Sequence, residues 1–442
     1  MTEETKSGEN RIGTRCQICT GCGRCVADAA EQRKMHVVMM NPAAGVSKLS
    51  DRTFVYTEQT KGRRLVAVDI GTTTIAMQLY SVDGRVEAEY SCVNPQVYYG
   101  ADVLSRIQAA QDKESVQERE IAHQAAQRMK EMVTEKVKEG IGVLAEDLHA
   151  EETLFMVVAG NTTMIYLLMG FQTKELGHAP FAAGHLEMQE TEIAGVKAYI
   201  FPGLSAFVGG DIMAGMYACG LKESQKITLL IDLGTNGEMV IGNRDRQIAC
   251  ATAAGPAFEG GVNKGIWGAD MIHLLAQLRR RNLLDETGLL ADPYFETGIR
   301  IGDVQITQES VRAVQLAKGA IGAGIRILLR EYGLMSADAG GREVYAFDKV
   351  DRVILAGGFG YYLKPEDAVY IGLLPKELAD KTASGGNTAL GGAWRLGRKM
   401  LAEDCWEIKS LEKMLAPKET KVINLAEHAE FETLYLENMQ LI

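Results

Sequence analysis

The sequence predicts an α/β protein with mixed sheets, built from two copies of one strand–turn–strand unit. The first copy reads LVAVDIGTTT over residues 65–74, and the second reads LLIDLGTNGE over residues 229–238. Each copy is a run of apolar, strand-forming residues that ends in Asp-X-Gly-Thr and continues into a second apolar stretch, as an internal repeat does. Aligning the copies places Asp69 on Asp232, Gly71 on Gly234 and Thr72 on Thr235.

The segments between and after the two copies alternate between helix and strand patterns. Residues 102–143 are long and charged and carry apolar residues at helical spacing, whereas residues 153–158 form a short apolar run typical of a buried strand. After the second copy, residues 353–356 read as a buried strand, and a helix is expected from Ala389. Strands that alternate with helices in this way indicate an α/β fold.

The Asp-X-Gly-Thr turn has the chemistry of a phosphate site. An Asp at the end of a strand can hold Mg²⁺, directly or through water. The Gly allows a sharp turn and a close approach of phosphate, and the hydroxyls and backbone N–H groups that follow can donate to phosphate oxygens. One such turn alone is more typical of an ordinary hairpin. Two copies at matched positions favour a nucleotide triphosphate gripped from both sides.

A third glycine-rich turn follows the strand at residues 353–356, where the sequence reads VILAGGFG through residue 360. It suits a position beneath an adenine or a ribose, although a packing turn is the alternative. The chain has no G-x-x-x-x-G-K-[ST], which excludes a Walker-type ATPase. It also lacks a G-x-G-x-x-G between a strand and a helix, which argues against a dinucleotide-binding fold.

Composition narrows the class of partner. The net charge is −11, and the chain shows no clustered Lys and Arg of the kind that bind nucleic acid. The longest apolar run, residues 155–171, contains Gly-Asn-Thr-Thr and is shorter than the roughly 20 residues that span a bilayer. We therefore expect a cytoplasmic protein that binds neither nucleic acid nor membrane, in which cysteines are thiols or metal ligands rather than disulfides.

Four cysteines near the start of the chain have a metal-binding spacing. Cys16, Cys19, Cys22 and Cys25 read C-x₂-C-x₂-C-x₂-C. The first three match the opening of a bacterial-type [4Fe–4S] run, although the fourth comes one residue early and no Pro follows it. An iron–sulfur cluster is the favoured interpretation, with zinc or unligated thiols as alternatives. The isolated cysteines are expected to be buried thiols: Cys92, Cys219, Cys250 and Cys405.

The three glycine-containing motifs resemble the phosphate-1, phosphate-2 and adenosine motifs of the acetate/sugar kinase–Hsp70–actin superfamily. Within that superfamily, other segments resemble the reductive activators of corrinoid-dependent methyltransferase systems, and the resemblance covers residues 65–442. These segments include NPQVYYGADVLSRI (94–107), GNTTM (160–164), GHAPF (177–181), FPGLSAFVGGD (201–211), ATAAGPAFEGG (251–261) and GGNTALGGA (385–393).

The resemblance implies two RNase-H-like domains with ATP between them, and ATP hydrolysis that drives electron transfer to a Co(II) corrinoid protein. It implies that Asp69 and Asp232 are the Mg²⁺-side carboxylates and that Glu238 or Glu259 orients the attacking water. The residues that it implies bind phosphate or flank adenosine are Gly71, Thr72, Thr73, Thr74, Gly234, Thr235, Asn236, Gly357, Gly358 and Phe359.

The cysteine segment differs from the pattern that this family usually carries. Those activators usually have a ferredoxin-like domain with C-x₅-C-x₂-C…C spacing, and the residues before Leu65 are too few for one. We expect a ferredoxin-like electron donor and a homodimer if one cluster is shared between two segments. A dehydratase-type or double-cluster reductase is the alternative acceptor. A small-metabolite kinase and a zinc-binding regulatory ATPase are the alternative functions.

These observations predict four parts of the chain. They are a cysteine-rich segment and linker (1–62), a first RNase-H-like subdomain (63–220), a second that carries the adenosine site (221–400) and a tail that packs on the ATPase body (401–442).

Overall fold

The computed structural model describes residues 62–81, 84–149, 151–234, 236–252, 268–301, 304–416 and 418–442. The four clustered cysteines, Glu259 and Thr235 lie outside the described residues. For Phe359 only the backbone is described.

The first copy of the repeat opens a six-stranded mixed sheet whose order is β3-β2-β1-β4-β6-β5. β1 pairs antiparallel with β2 and parallel with β4, so the hairpin lies on one side and the crossover strands on the other. The strands are β1 (Arg63–Ile70), β2 (Thr74–Tyr80), β3 (Val86–Val93), β4 (Thr153–Gly160), β5 (Gln189–Ile193) and β6 (Val196–Ile200).

The second copy opens a second six-stranded sheet, of order β15-β14-β7-β8-β9-β16. Its central strand again pairs antiparallel with the next strand along the chain and parallel with a crossover strand. The strands are β7 (Thr228–Leu233), β8 (Gly237–Gly242), β9 (Gln247–Thr252), β14 (Arg352–Ala356), β15 (Thr382–Gly386) and β16 (Thr420–Ile423). Two small hairpins comprise β10 (Ile299–Ile301), β11 (Val304–Ile306), β12 (Met335–Ala337) and β13 (Glu343–Tyr345).

Five strands of each sheet follow an equivalent order, so the predicted repeat of a mixed α/β unit is confirmed. The shared order is β3-β2-β1-β4-β6 in the first sheet and β9-β8-β7-β14-β15 in the second. The first sheet adds β5 beyond β6, whereas the second adds β16 beyond β9. We call the parts built on these sheets the first lobe and the second lobe.

Helices cover both faces of each sheet. They are α1 (Val103–Ala110), α2 (Val116–Leu144), α3 (Thr162–Met169), α4 (Gly210–Ala218), α5 (Gly268–Arg280), α6 (Tyr294–Thr297), α7 (Gln308–Tyr332), α8 (Gly357–Tyr362), α9 (Pro365–Tyr370), α10 (Thr388–Glu403), α11 (Ile408–Leu415) and α12 (Phe431–Glu437). The region expected to be helical over 102–143 forms two helices, because Ser115 caps a new one by accepting from the Glu118 N–H.

The core of the described residues consists mainly of three layers of side chains, a central layer and two outer layers. The central layer lies between the sheets and contains α4 and α10, which pack on each other and on residues of both sheets. The outer face of the first sheet packs on α2 and α3, and the outer face of the second packs on α5 and α7. Because neighbouring residues of a strand face opposite ways, β1 contributes Leu65 and Ala67 to the central layer and Val66 and Val68 to the outer one.

The C-terminal residues pack on the second lobe. Lys318 of α7 donates to the Asn438 carbonyl at 2.6 Å and also to the Gln440 carbonyl, and its side chain is fully buried. Arg279 donates to the Leu441 carbonyl at 3.0 Å. These bonds fix the last residues against helices of the second lobe.

Candidate nucleotide site

Three acidic side chains face the central layer because of strand periodicity. In β1, Leu65 and Ala67 face that layer, so Asp69 two positions further does as well. In β7, Leu230 faces the central layer and so does Asp232. Glu238 of β8 lies directly opposite Asp232 in the antiparallel register. The two predicted Mg²⁺-side carboxylates therefore lie at the carboxyl ends of β1 and β7, where the two lobes meet.

A fourth acid, Asp211, joins this group and was missed from the sequence. It lies in the first turn of α4, where its Oδ1 accepts from the Ile212 N–H at 2.8 Å. Its charge acts on Asp69, Asp232 and Glu238 alike. Asp211 ends the segment 201–211 that carries part of the family resemblance, but nothing local showed that it lies beside both strand ends.

Burial raises the pKa of all four carboxyls, and repulsion by neighbouring acids adds to this for Asp69, Asp232 and Glu238. The pKa of Asp69 rises to about 7, mainly through burial and also through Asp211. Burial and the charges of Asp211 and Asp69 raise the pKa of Asp232 to about 8. Burial raises the pKa of Asp211 to about 6 and that of Glu238 well above its usual range. Such a group favours a cation, because a bound cation stabilises the ionised carboxylates.

The first phosphate turn is supported by two asparagines that sequence reasoning also missed. Asn161, the N-cap of α3, donates from Nδ2 to the Thr72 hydroxyl at 2.9 Å while its Oδ1 accepts from the Met164 N–H at 3.0 Å. Asn94 is fully buried and donates from Nδ2 to the Gly71 carbonyl at 2.8 Å. The amides of Asn94 and Asn161 lie outside the motif and hold the turn through these two hydrogen bonds.

The two turns differ by one residue. β1 and β2 pair as far as Ile70 and Ile75, whereas β7 and β8 pair as far as Leu233 and Gly237. The first turn therefore has residues 71–74 and the second has residues 234–236. Gly71 donates its N–H to the Thr74 carbonyl at 2.9 Å, and Gly234 donates to the Asn236 carbonyl at 3.0 Å. Thr74 and Asn236 are thus structurally equivalent, and the sequence alignment shifts by one residue after the glycines.

The adenosine motif lies beside the second turn. Gly357 has a φ of +79°, and a Cβ there would lie 2.6 Å from Asp232 Oδ1 and 2.7 Å from the Leu233 carbonyl oxygen. Only glycine fits this conformation and this close approach. A Cβ on Gly358 would meet no atom within 4 Å, so its surface is open. The motif forms the start of α8, where the sequence predicts a glycine-rich turn.

A hydrogen bond joins Asp69, near the end of β1, to the N-cap of α10. Asn387 Nδ2 donates to Asp69 Oδ2 at 2.7 Å. Asn387 is the N-cap of α10, which follows the last crossover strand of the second sheet. In the second turn, Glu238 accepts a side-chain hydrogen bond from Asn236, which lowers its pKa against the larger effect of burial.

The described part of the chain contains no group of three or more His, Cys, Asp or Glu side chains arranged to hold a metal ion. Mg²⁺ in nucleotide sites usually keeps several waters and needs only one or two carboxylates together with phosphate oxygens. Of the four isolated cysteines, Cys219 and Cys250 are buried as expected, whereas Cys92 and Cys405 are only partly buried. No helix among the described residues is long and apolar enough to cross a membrane.

Two family models match the chain over most of its length. The model described as the RACo middle region matches residues 65–224. The model described as the C-terminal domain of RACo, the ASKHA domain, matches residues 226–264 and 262–442. The chain belongs to the RACo family. The resemblance to corrinoid reductive activators is thereby confirmed, as is the α/β fold of two lobes with mixed sheets around a cleft.

Individual proteins agree with membership of the RACo family. The chain is 30% identical over 396 residues to the corrinoid activation enzyme RamQ of Eubacterium limosum, covering 74% of this chain and 63% of RamQ. It is 22% identical over 409 residues to the [Co(II) methylated amine-specific corrinoid protein] reductase of Methanosarcina barkeri, covering 76% of this chain and 70% of the reductase.

A solved structure is also similar. The reductive activator for corrinoid, iron–sulfur protein matches with a TM-score of 0.71 and 29% identity, over 86% of this chain and 66% of that one. The chain thus spans slightly less than two thirds of the length of RamQ and of this activator.

Proposed function

We propose that this chain is an ATP-dependent reductive activator that delivers one low-potential electron to a corrinoid protein in its Co(II) state. The observation that carries the proposal is the convergence of Asp69 and Asp232, one from each copy of the phosphate turn, in a member of the RACo family. The printed names of RamQ and of the Methanosarcina reductase support corrinoid as the acceptor class. In each cycle, Co(II) gains one electron to become Co(I), the donor loses one, and ATP and water become ADP and phosphate.

The residues of the cleft fit ATP with Mg²⁺. Four mutually repelling carboxyls with raised pKa values form a site that a divalent cation would stabilise, and Asp69 and Asp232 would hold it, directly or through water. The bound ion would neutralise charge on the phosphates during hydrolysis. The expected phosphate donors are Gly71, Thr72, Thr73, Thr74, Gly234, Thr235 and Asn236, and adenosine would lie at Gly357, Gly358 and Phe359.

Asp211 and Glu238 are the described acids that we propose orient the attacking water. Both lie beside Asp232, and burial raises the pKa of each, which is the tuning that a carboxylate needs to accept a proton near neutral pH. Asp211 adds to the two glutamates expected from the sequence. Glu259, the other of those two, lies outside the described residues.

Closure of the cleft would carry the effect of ATP to the rest of the molecule. α4 carries Asp211 in its first turn, and it packs against α10, whose N-cap contacts Asp69. A Cβ on Gly392 of α10 would collide with the backbone of Ala214 in α4, so the two helices touch at the backbone. Binding of ATP between the lobes would therefore move these helices together and favour one arrangement of the lobes.

The electron would come through an iron–sulfur cluster on Cys16, Cys19, Cys22 and Cys25, which a ferredoxin-like protein would reduce. The spacing of the four thiols supports this assignment, with [4Fe–4S] as the expected type. Two copies of the chain would form a dimer if they share one cluster. Iron and sulfide analysis of anaerobically purified protein tests this part, and an air-stable, colourless protein with stoichiometric zinc would contradict it.

The function is tested by electron paramagnetic resonance of a Co(II) corrinoid protein mixed anaerobically with the pre-reduced chain. The proposal expects the Co(II) signal to disappear when Mg²⁺ and ATP are added and to persist without ATP. Persistence of the signal with ATP, across a panel of corrinoid proteins, would count against corrinoid as the acceptor. The same assay with a dehydratase-type acceptor would then test the alternative class.

A further inference from the structure

We infer that Asn387, which follows the last crossover strand of the second sheet, is a positioning residue that holds Asp69 of the first sheet during ATP hydrolysis, an inference that rests on the proposed function. The two residues are 318 positions apart, and their side chains meet at 2.7 Å. Asn387 belongs to none of the three glycine-containing turns that bind the nucleotide in this proposal.

The packing of α10 along β1 explains why this contact forms. A Cβ on Gly397 would collide with the Leu65 side chain, so α10 lies directly on the start of β1. Ten residues earlier, Asn387 meets Asp69 near the end of the same strand. Ten helical residues span about 15 Å, and the four-residue advance along the strand spans about 13 Å. The helix and the strand therefore run antiparallel with matched lengths, which fixes Asn387 beside Asp69.

The orientation of the Asn387 amide is fixed by its two bonds. Oδ1 accepts from the Leu390 N–H at 2.8 Å as the N-cap of α10, and this directs Nδ2 toward Asp69. The oxygen of the Asn387 amide therefore caps the helix, and its NH₂ group donates to Asp69. A residue that keeps the cap but lacks the NH₂ group would leave the helix intact and release Asp69.

The bond sets the orientation of the Asp69 carboxylate. The amide occupies Oδ2, which leaves Oδ1 as the carboxylate oxygen to turn toward a hydrated cation. Asn387 thereby keeps the carboxylate in one orientation from a helix that packs along the same strand.

The test compares Asn387→Ser with Asn387→Asp, because Ser and Asp are both good N-caps. Asn387→Ser lacks the donor to Asp69, and we expect kcat for Mg²⁺–ATP hydrolysis to fall about tenfold, as for loss of a hydrogen bond to a charged group. KM for ATP should change less than threefold and the thermal midpoint should stay the same. Asn387→Asp places a second carboxylate against Asp69, and we expect a fall of at least about 100-fold.

The control is Asn424→Ser, which makes the same change at an N-cap whose Oδ1 accepts from the Ala426 N–H. It should hydrolyse ATP like the wild type. Wild-type kcat in Asn387→Ser would overturn the inference and leave the proposed function standing. Equal losses in Asn387→Ser and Asn387→Asp, in parallel with a lower thermal midpoint, would also overturn it. Absence of Mg²⁺-dependent hydrolysis in the wild type would instead overturn the proposed function, and this inference with it.

Discussion

The two lobes have five strands in the same order and the same turn motif, but they hold their strand-end aspartates differently. Asp69 of the first lobe accepts a hydrogen bond from Asn387, and its turn is supported by Asn94 and Asn161. Asp232 of the second lobe faces Gly357, and burial and two neighbouring carboxylates raise its pKa to about 8. The first site is held by amides and the second is crowded by carboxylates. We therefore expect that the amides of the first lobe orient its acid, whereas the acid of the second lobe depends on a bound cation for its charge.

The largest expected effect comes from removing each acid in turn. Asp232→Asn should lower the rate of ATP hydrolysis at least about 100-fold, the loss typical of removing a group that stabilises transition-state charge. It should also raise the thermal midpoint of the metal-free protein, because it relieves repulsion in the cleft. Asp69→Asn should lower the rate as much but raise the midpoint less, because it weakens the charge-assisted bond from Asn387. Equal shifts in midpoint would contradict the difference between the lobes.

The glycines at the carboxyl ends of the crossover strands β4 and β14 allow a matched comparison of two substitutions. Gly357 and Gly160 are equivalent, since each follows the alanine that pairs with the strand-end aspartate. A Cβ at Gly160 would lie 2.8 Å from the Ile70 carbonyl oxygen, a crowding similar to that at Gly357, but only Gly357 has a positive φ. Gly357→Ala should therefore destabilise the protein by about 1–2 kcal/mol more than Gly160→Ala. Urea unfolding of both variants measures the difference, and the reverse order would contradict the account.

The amide support of the first turn predicts a smaller effect. Asn161→Asp keeps an N-cap acceptor for the Met164 N–H but removes the donor to Thr72. We expect KM for ATP to rise about 5–10-fold, equivalent to about 1 kcal/mol for one hydrogen bond, with the unfolding midpoint unchanged. Steady-state kinetics measure this, with Asn424→Asp as the matched cap variant. An unchanged KM would show that the turn keeps its shape without Asn161.

A separate effect, on the pH dependence of stability, concerns Lys318, the buried amine of the second lobe. Burial lowers its pKa from 10.5 to about 7 in the folded protein. Between these values the unfolded chain binds more protons than the folded one, so the free energy of unfolding should rise with pH. One such group contributes at most about 1.4 kcal/mol per pH unit. Lys318→Met should remove this part of the slope in denaturant titrations from pH 7 to 9, whereas Lys138→Met on α2 should not. An unchanged slope in Lys318→Met would contradict the assignment.

Much of the fold could be predicted because its signals are local. The apolar runs of β1 and β7, and the glycines of the turns that follow them, can be recognised in short segments of sequence. Asp211, Asn161 and Asn387 could not be assigned in this way. Each is unremarkable in its own segment, and Asn387 reaches Asp69 across 318 positions because of how α10 packs. The difference of one residue in length between the two turns could not be predicted either, because it depends on the strand pairing.

Our proposal requires that hydrolysis at the joint site of Asp69 and Asp232 drives the reduction of the acceptor. Phosphate release and loss of the Co(II) signal can be measured in the same anaerobic samples, for wild type and Asp232→Asn with equal cluster content. We expect both processes to require ATP and to fall together in Asp232→Asn. Reduction of Co(II) at the wild-type rate in Asp232→Asn, or without ATP, would contradict the proposal.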